Sequence, residues 1–155
     1  MRLRLFVIAV VAALAVPSLA LARTATKGHP RDHRQAAAIV GTWTVQVTPV
    51  GQAPFAALLS FHRGGTLVET ESDAPGTGLG SWKRTGADRY AIAFKSFFFS
   101  ATGEPGGSVL VRTVVTLTDD TLSGPFKFDV SDPTGKVVQS GSGTAKATRF
   151  EIPAL

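Results

Sequence analysis

From Ile39 onward, apolar and polar residues alternate with a period of two in short runs, broken by clusters of Gly, Pro, Asp and Ser. That period belongs to half-buried β-strands, and short strands at roughly 8 to 15 residue spacing mark an all-β sandwich or barrel. Residues 42–48 set Trp43, Val45 and Val47 against Thr44, Gln46 and Thr48. Residues 55–62 place Phe55, Ala57, Leu59 and Phe61 on one face, and Arg63-Gly64-Gly65 supplies the positive φ of a tight hairpin turn. A third strand covers 66–72, and 73–78, the longest Pro/Gly-rich gap, reads as a loop. Residues 80–84 carry Trp82, and 85–88 turn the chain into 89–100, where Tyr90, Ile92, Phe94, Ser96 and Phe98 alternate. After a turn at 102–107, a Val-rich strand is predicted at 108–118. Asp119-Asp120 turns into 121–130, and the turn at 131–135 leads to 136–150. Eight sequential strands with no helical stretch close most simply into an antiparallel up-and-down barrel, since closure removes exposed edges. Such a barrel has an interior that side chains can fill or that can hold one small ligand.

The first 22 residues have a different pattern. Arg2 and Arg4 form a charged start, residues 5–16 an apolar run, and Ala20-Leu21-Ala22 a small-residue cleavage site, which together read as an export signal. The apolar run stops at Pro17-Ser18, short of the roughly 20 residues that span a bilayer core. The mature chain is expected to begin at Arg23, outside the cytoplasm, secreted or in the periplasm or cell envelope, with no integral membrane segment. Residues 23–38 lack an apolar period and read as a disordered basic spacer, leaving 39–155 as the folded domain. His29 and His33 in the spacer have the i, i+4 spacing of a helical metal pair, but Pro30 lies between them and no third ligand is near.

Charge narrows the partners. The chain carries 16 basic and 11 acidic residues, but six of the basic ones lie in the leader and spacer with a single acid, Asp32, so 39–155 holds ten of each sign. A neutral domain without a Lys/Arg stripe lacks the electrostatic footprint of a nucleic-acid binder. The chain has no Cys, which excludes disulfides, a lipid-anchoring Cys, Cys-based zinc sites and thiol catalysis. No phosphate loop or nucleophile elbow occurs in a strand-to-helix context, Gly141-Ser142-Gly143 lying in the last strand, and no cofactor is implied.

Gly41-Thr42-Trp43 at the start of the first strand, with Arg149 near the end of the last, resembles the Gly-x-Trp and C-terminal basic residue of the calycins, the lipocalin-like barrels. Phe61 to Thr66, Gly80-Ser81-Trp82, Tyr90 and Phe94 are similar to small bacterial lipocalin-like proteins. The later Thr-Asp-Tyr motif is absent, with Asp119-Asp120 a loose echo, so calycin-like is the apt term. The resemblance implies that Trp43 plugs one end of the barrel with Arg149 packed over it. It also implies a hydrophobic or amphipathic small ligand inside.

Residues at alternate positions that could line such a cavity are Phe55, Leu59, Phe61, Tyr90, Ile92, Phe94, Phe98, Phe126 and Phe128. Phe97-Phe98-Phe99 puts rings on both strand faces and is a candidate contact surface. His62 reads as a surface residue. Glu69 and Glu71 share a face with Leu67; turned inward they would bring two carboxyls into the cavity, while the arrangement with Val68 inward and both in water avoids desolvation and is the one expected. Three functions follow: an exported binding module for a hydrophobic or amphipathic molecule, which the resemblance favours because calycins often bind and seldom catalyse; a barrel cyclase or isomerase resembling allene oxide cyclase, against which the lack of an evident acid-base constellation counts; or a filled barrel with a structural or interaction role. Expression of the full chain in an exporting host should yield a mature form beginning at Arg23, read by intact mass; a product retaining Met1 or Arg2 would overturn the cleaved-signal reading.

Overall fold

A computed structural model describes residues 38–74 and 76–154. The expected export signal and all but the last residue of the expected spacer lie outside these. Eight strands follow in chain order: β1 (Gly41–Pro49), β2 (Phe55–Phe61), β3 (Thr66–Glu71), β4 (Thr77–Arg84), β5 (Arg89–Phe99), β6 (Pro105–Thr118), β7 (Thr121–Ser131) and β8 (Val137–Arg149). Each pairs antiparallel with the next, and β8 returns to β1, so the sheet is a closed eight-stranded barrel. No helix occurs among the described residues.

Closure fixes the facing of every side chain. β1 pairs with β8 from Trp43↔Arg149 to Pro49↔Gly143, and with β2 from Gly41↔Phe61 to Val47↔Phe55. Because side chains alternate across a strand, this register turns Trp43, Val45, Ala57 and Phe61 inward together. Cross-strand partners on the inner face are matched in size: Phe126 stands opposite Gly143 and Phe128 opposite Gly141. A Cβ at either glycine would overlap the partner's ring, so the two glycines in β8 provide the space that the aromatics of β7 occupy.

Two segments expected as loops, 73–78 and 102–107, are loops only in their first part and strand in their last residues. β4 begins at Thr77, since Thr77 and Gly78 pair with Thr70 and Glu69, and β6 begins at Pro105, since Gly107 pairs with Phe98 across a bulge. Gly103 serves a turn as expected, but Gly78 and Gly107 are places of close approach within strands. A Cβ at Gly78 would overlap the Glu69 carboxyl, and one at Gly107, whose φ is +136°, would overlap the backbone of Ser131.

One pole of the barrel is sealed. Trp43 is fully buried there and donates its indole N–H to the Ile39 carbonyl at 2.9 Å. The Arg149 guanidinium lies 4.5 Å from the centroid of the Trp43 ring. It donates through Nη1 to the Val40 carbonyl at 3.2 Å, through Nη2 to the Ala38 carbonyl, and through Nε to Asp120 at 2.8 Å. Asp120 belongs to the β6–β7 hairpin, whose other turn residue, Asp119, is the one non-glycine at positive φ among the described residues (51°). Beside this clamp, Trp82 packs edge-on to Phe61 and Tyr90 at 6.3 and 6.0 Å and donates to the carbonyls of His62 and Thr66 at 3.1 Å each. The His62 side chain is exposed.

Arg149→Ala removes a cation over a ring and two charge-assisted bonds to backbone carbonyls, so it should destabilise the barrel by on the order of 2–4 kcal/mol in chemical denaturation. Asp120→Asn, at an exposed partner, should cost less than about 1 kcal/mol. Equal costs for the two variants would refute the division of labour described.

Candidate ligand cavity

Opposite the sealed pole, the β1–β2, β3–β4, β5–β6 and β7–β8 connections surround an open mouth. The strand interiors between mouth and plug do not fill the barrel. They enclose a cavity of about 360 Å³ with Trp43 as its floor, within the size range of small-molecule sites. Its walls are predominantly apolar. Val45, Val47, Ala57 and Leu59 come from β1 and β2, Ile92 and Phe94 from β5, Val109, Val111 and Val115 from β6, and Phe126 and Phe128 from β7; Ala145 and Ala147 add small side chains from β8. Pro49, Gln52, Phe55, Val130 and Gln139 ring the mouth.

Seven of the nine residues expected around a ligand line this cavity: Phe55, Leu59, Phe61, Ile92, Phe94, Phe126 and Phe128. Tyr90 and Phe98 do not. Tyr90 points inward but lies at the level of the sealed pole, fully packed against Trp82. Phe98 sits beyond the other end, its ring against the backbone of Gly106 and Gly107. Both have the inward parity of β5, but their height along the barrel axis takes them out of the cavity. Phe97 and Phe99 point out and are 63% and 62% exposed.

β3 departs from expectation. Val68 faces out, and Glu69 faces in at 2% exposure, followed by the half-buried Glu71 and then by Asp73 at the rim. All three line the cavity. Facing is inherited through the β2–β3 hairpin: His62 donates its backbone N–H to the Thr66 carbonyl at 2.9 Å, next to the Phe61↔Leu67 pair. Phe61 and Leu67 are buried at 2% and 1%, so the next alternate positions, Glu69 and Glu71, must be inward as well. The buried hydrophobic pair outweighs the desolvation of the carboxyls. The parity count across this hairpin is the sequence signal that would have located them.

Burial, the charge of Glu71, a hydrogen bond to Glu71 and the charge of Asp73 push the Glu69 carboxyl up to about 8, against the opposing effect of the Gly78 backbone N–H. Glu71 is also raised, by burial and by Asp73, while its hydrogen bond with Glu69 pulls the other way. The two carboxyls titrate as a pair and hold a proton at neutral pH. The Glu69 oxygen Oε1 is buried with no hydrogen-bond partner among the described residues. The remaining polar lining, Thr113, Gln52 and Gln139, is uncharged. The cavity can thus take an apolar body of small-molecule size and present one acidic stripe to it.

No family model matches the chain, and no curated protein does. Among solved structures the barrel is similar to a redesigned β-barrel, at 25% identity over 76% of this chain and 96% of that one, with a TM-score of 0.48.

Because the folded state holds the Glu69 proton up to about 8 while the unfolded chain releases it near 4.5, stability should fall as pH rises between those values and level off above them. Glu69→Gln keeps the shape and has no proton to lose. Its melting temperature should overtake that of the wild type between pH 5 and pH 8.5, by a free energy on the order of a few kcal/mol. A pH-independent difference between the two would overturn the raised carboxyl.

Proposed function

We propose that this protein is an exported binding module of calycin-like type, which holds a hydrophobic or amphipathic small molecule in its barrel. The observation that carries this reading is the apolar cavity of about 360 Å³, floored by Trp43 and open at the opposite pole. An interior packed solid would favour a structural role; here small residues, Ala57, Ala145 and Ala147, stand where larger ones would close the space. The calycin-like assignment draws support from Arg149 stacked on Trp43 at the sealed end, and export rests on the pattern of the first 22 residues.

A second reading is favoured by one specific observation. Glu69 and Glu71 stand at alternate positions in an apolar cavity that raises both carboxyls, the equipment that a cyclase or isomerase resembling allene oxide cyclase would use to move a proton on a substrate held in a folded shape. The two readings differ in whether the bound molecule leaves unchanged.

Native mass spectrometry of the protein purified from its own host should show a stoichiometric non-covalent adduct. Val111→Phe, which places a ring in mid-cavity between Phe94 and Phe128, should weaken binding of that molecule at least tenfold. A clean mass that persists after incubation with lipids and apolar metabolites would overturn the binding reading in favour of a filled or structural barrel. Recovery of the adduct in chemically altered form, with the alteration lost in Glu69→Gln, would place the protein among the barrel enzymes.

A further inference from the structure

Among the described residues the acidic stripe has no cationic counterpart in the cavity. The cavity lining contains three carboxyl side chains and no Lys, Arg or His. From the strands flanking β3, Ala57 and Leu59 of β2 and Gly78 of β4 stand opposite Glu71 and Glu69, and none of these titrates. Across the cavity, Thr113 of β6 and Gln139 of β8 are neutral, so Glu71 and Asp73 are the charged groups facing Glu69. Glu69 is 98% buried, and its Oε1 lacks a hydrogen-bond partner. Gly78 is what allows the carboxyl to sit there, since a Cβ at that position would overlap Oε2.

A buried carboxyl with an unsatisfied oxygen, followed by a second and a third at alternate positions toward the mouth, is costly in an empty barrel. The cost is relieved by a ligand group that brings both hydrogen-bond donors and positive charge. An ammonium does this with N–H donors alone and no acceptor to be left unmatched. A carboxylate or phosphate would add to the repulsion.

Resting on the binding-module reading above, we propose that the barrel selects amphipathic amines: a protonated amine anchored on Glu69 and Glu71, entering past Asp73, with its apolar body on the aromatic and aliphatic walls above Trp43. The cation replaces the proton that the carboxyl pair holds. Binding near neutral pH therefore releases a proton to the solvent, and it strengthens as pH rises until the ligand's own amine, with a pKa near that of lysine at about 10.4, loses its charge.

Titration calorimetry of the purified protein with octylamine, octanol and octanoate, three ligands sharing one apolar body, tests the selection. At pH 7.5 octylamine should bind at least tenfold more tightly than octanol, with octanoate weakest. The octylamine heat should vary with the ionisation enthalpy of the buffer, showing proton release, while the octanol heat should not. Glu69→Gln/Glu71→Gln, checked for folding by its thermal melt, should lose both the amine preference and the proton release. Octanol or octanoate binding as tightly as octylamine to the wild type would overturn the inference and leave the binding module standing. An amine preference that survives the double substitution would also overturn it. Failure of all three ligands to bind would overturn it together with the binding-module reading.

Discussion

The hydrogen-bonded seam between β1 and β8 is the constraint from which the rest follows. It joins the first and last strands from Trp43↔Arg149 to Pro49↔Gly143 and so converts a meander into a closed barrel without free edges. With the ring closed, no strand can slip by one residue without exchanging its two faces, and the burial of Trp43, Val45 and Ala147 holds the seam against slippage. The seam also brings Arg149 over Trp43, so one set of contacts both sets register and seals a pole. A barrel sealed at one pole and lined with small residues on β8 has space remaining at the other, and the cavity is the remainder.

Polarity inside the barrel is a local exception held in place by that framework. Leu67 and Phe61 anchor β3 deeply enough that Glu69 cannot turn to water without exposing Leu67. The carboxyl stays, keeps its proton and is accommodated by a glycine across the strand pair. Such a group lowers the stability of the barrel above the pH at which the unfolded chain releases its proton. Asp129, on the outer face, shows the opposite behaviour: hydrogen bonds from Ser140 and Arg112 hold its carboxyl below the usual range, and the interaction ties β6, β7 and β8 together from outside.

Much of this was written in the sequence at the level of parity and little at the level of height. Period-two alternation identified all eight strands and the inward faces of β1, β2, β5 and β7. It could not say how far along the axis each inward residue lies, which is why Tyr90 and Phe98, correct in facing, stand at the sealed pole and beyond the mouth, outside the cavity. Glycine was ambiguous for a physical reason: the same residue serves a turn, as at Gly65, and a strand position crowded by a neighbour's side chain, as at Gly78. Hydropathy misled at Val68 and Glu69, where a one-residue comparison favoured the valine, while the hairpin connecting Phe61 to Leu67 had already decided the matter. Asp120, which completes the clamp on Arg149, gave no signal beyond its place in a two-residue turn.

Ala38 and Phe150, which flank the barrel on either side, meet at the sealed pole. Ala38 is held by Arg149 there, and Phe150 donates its backbone N–H to Thr42. Both positions therefore lie on the side of the barrel away from the mouth. A tag, a fusion partner or a surface linker placed at residue 38 or after residue 150 therefore acts as a handle, orienting the barrel like a cup held by its base. The protein can be immobilised through either end with its opening presented to the surrounding solution.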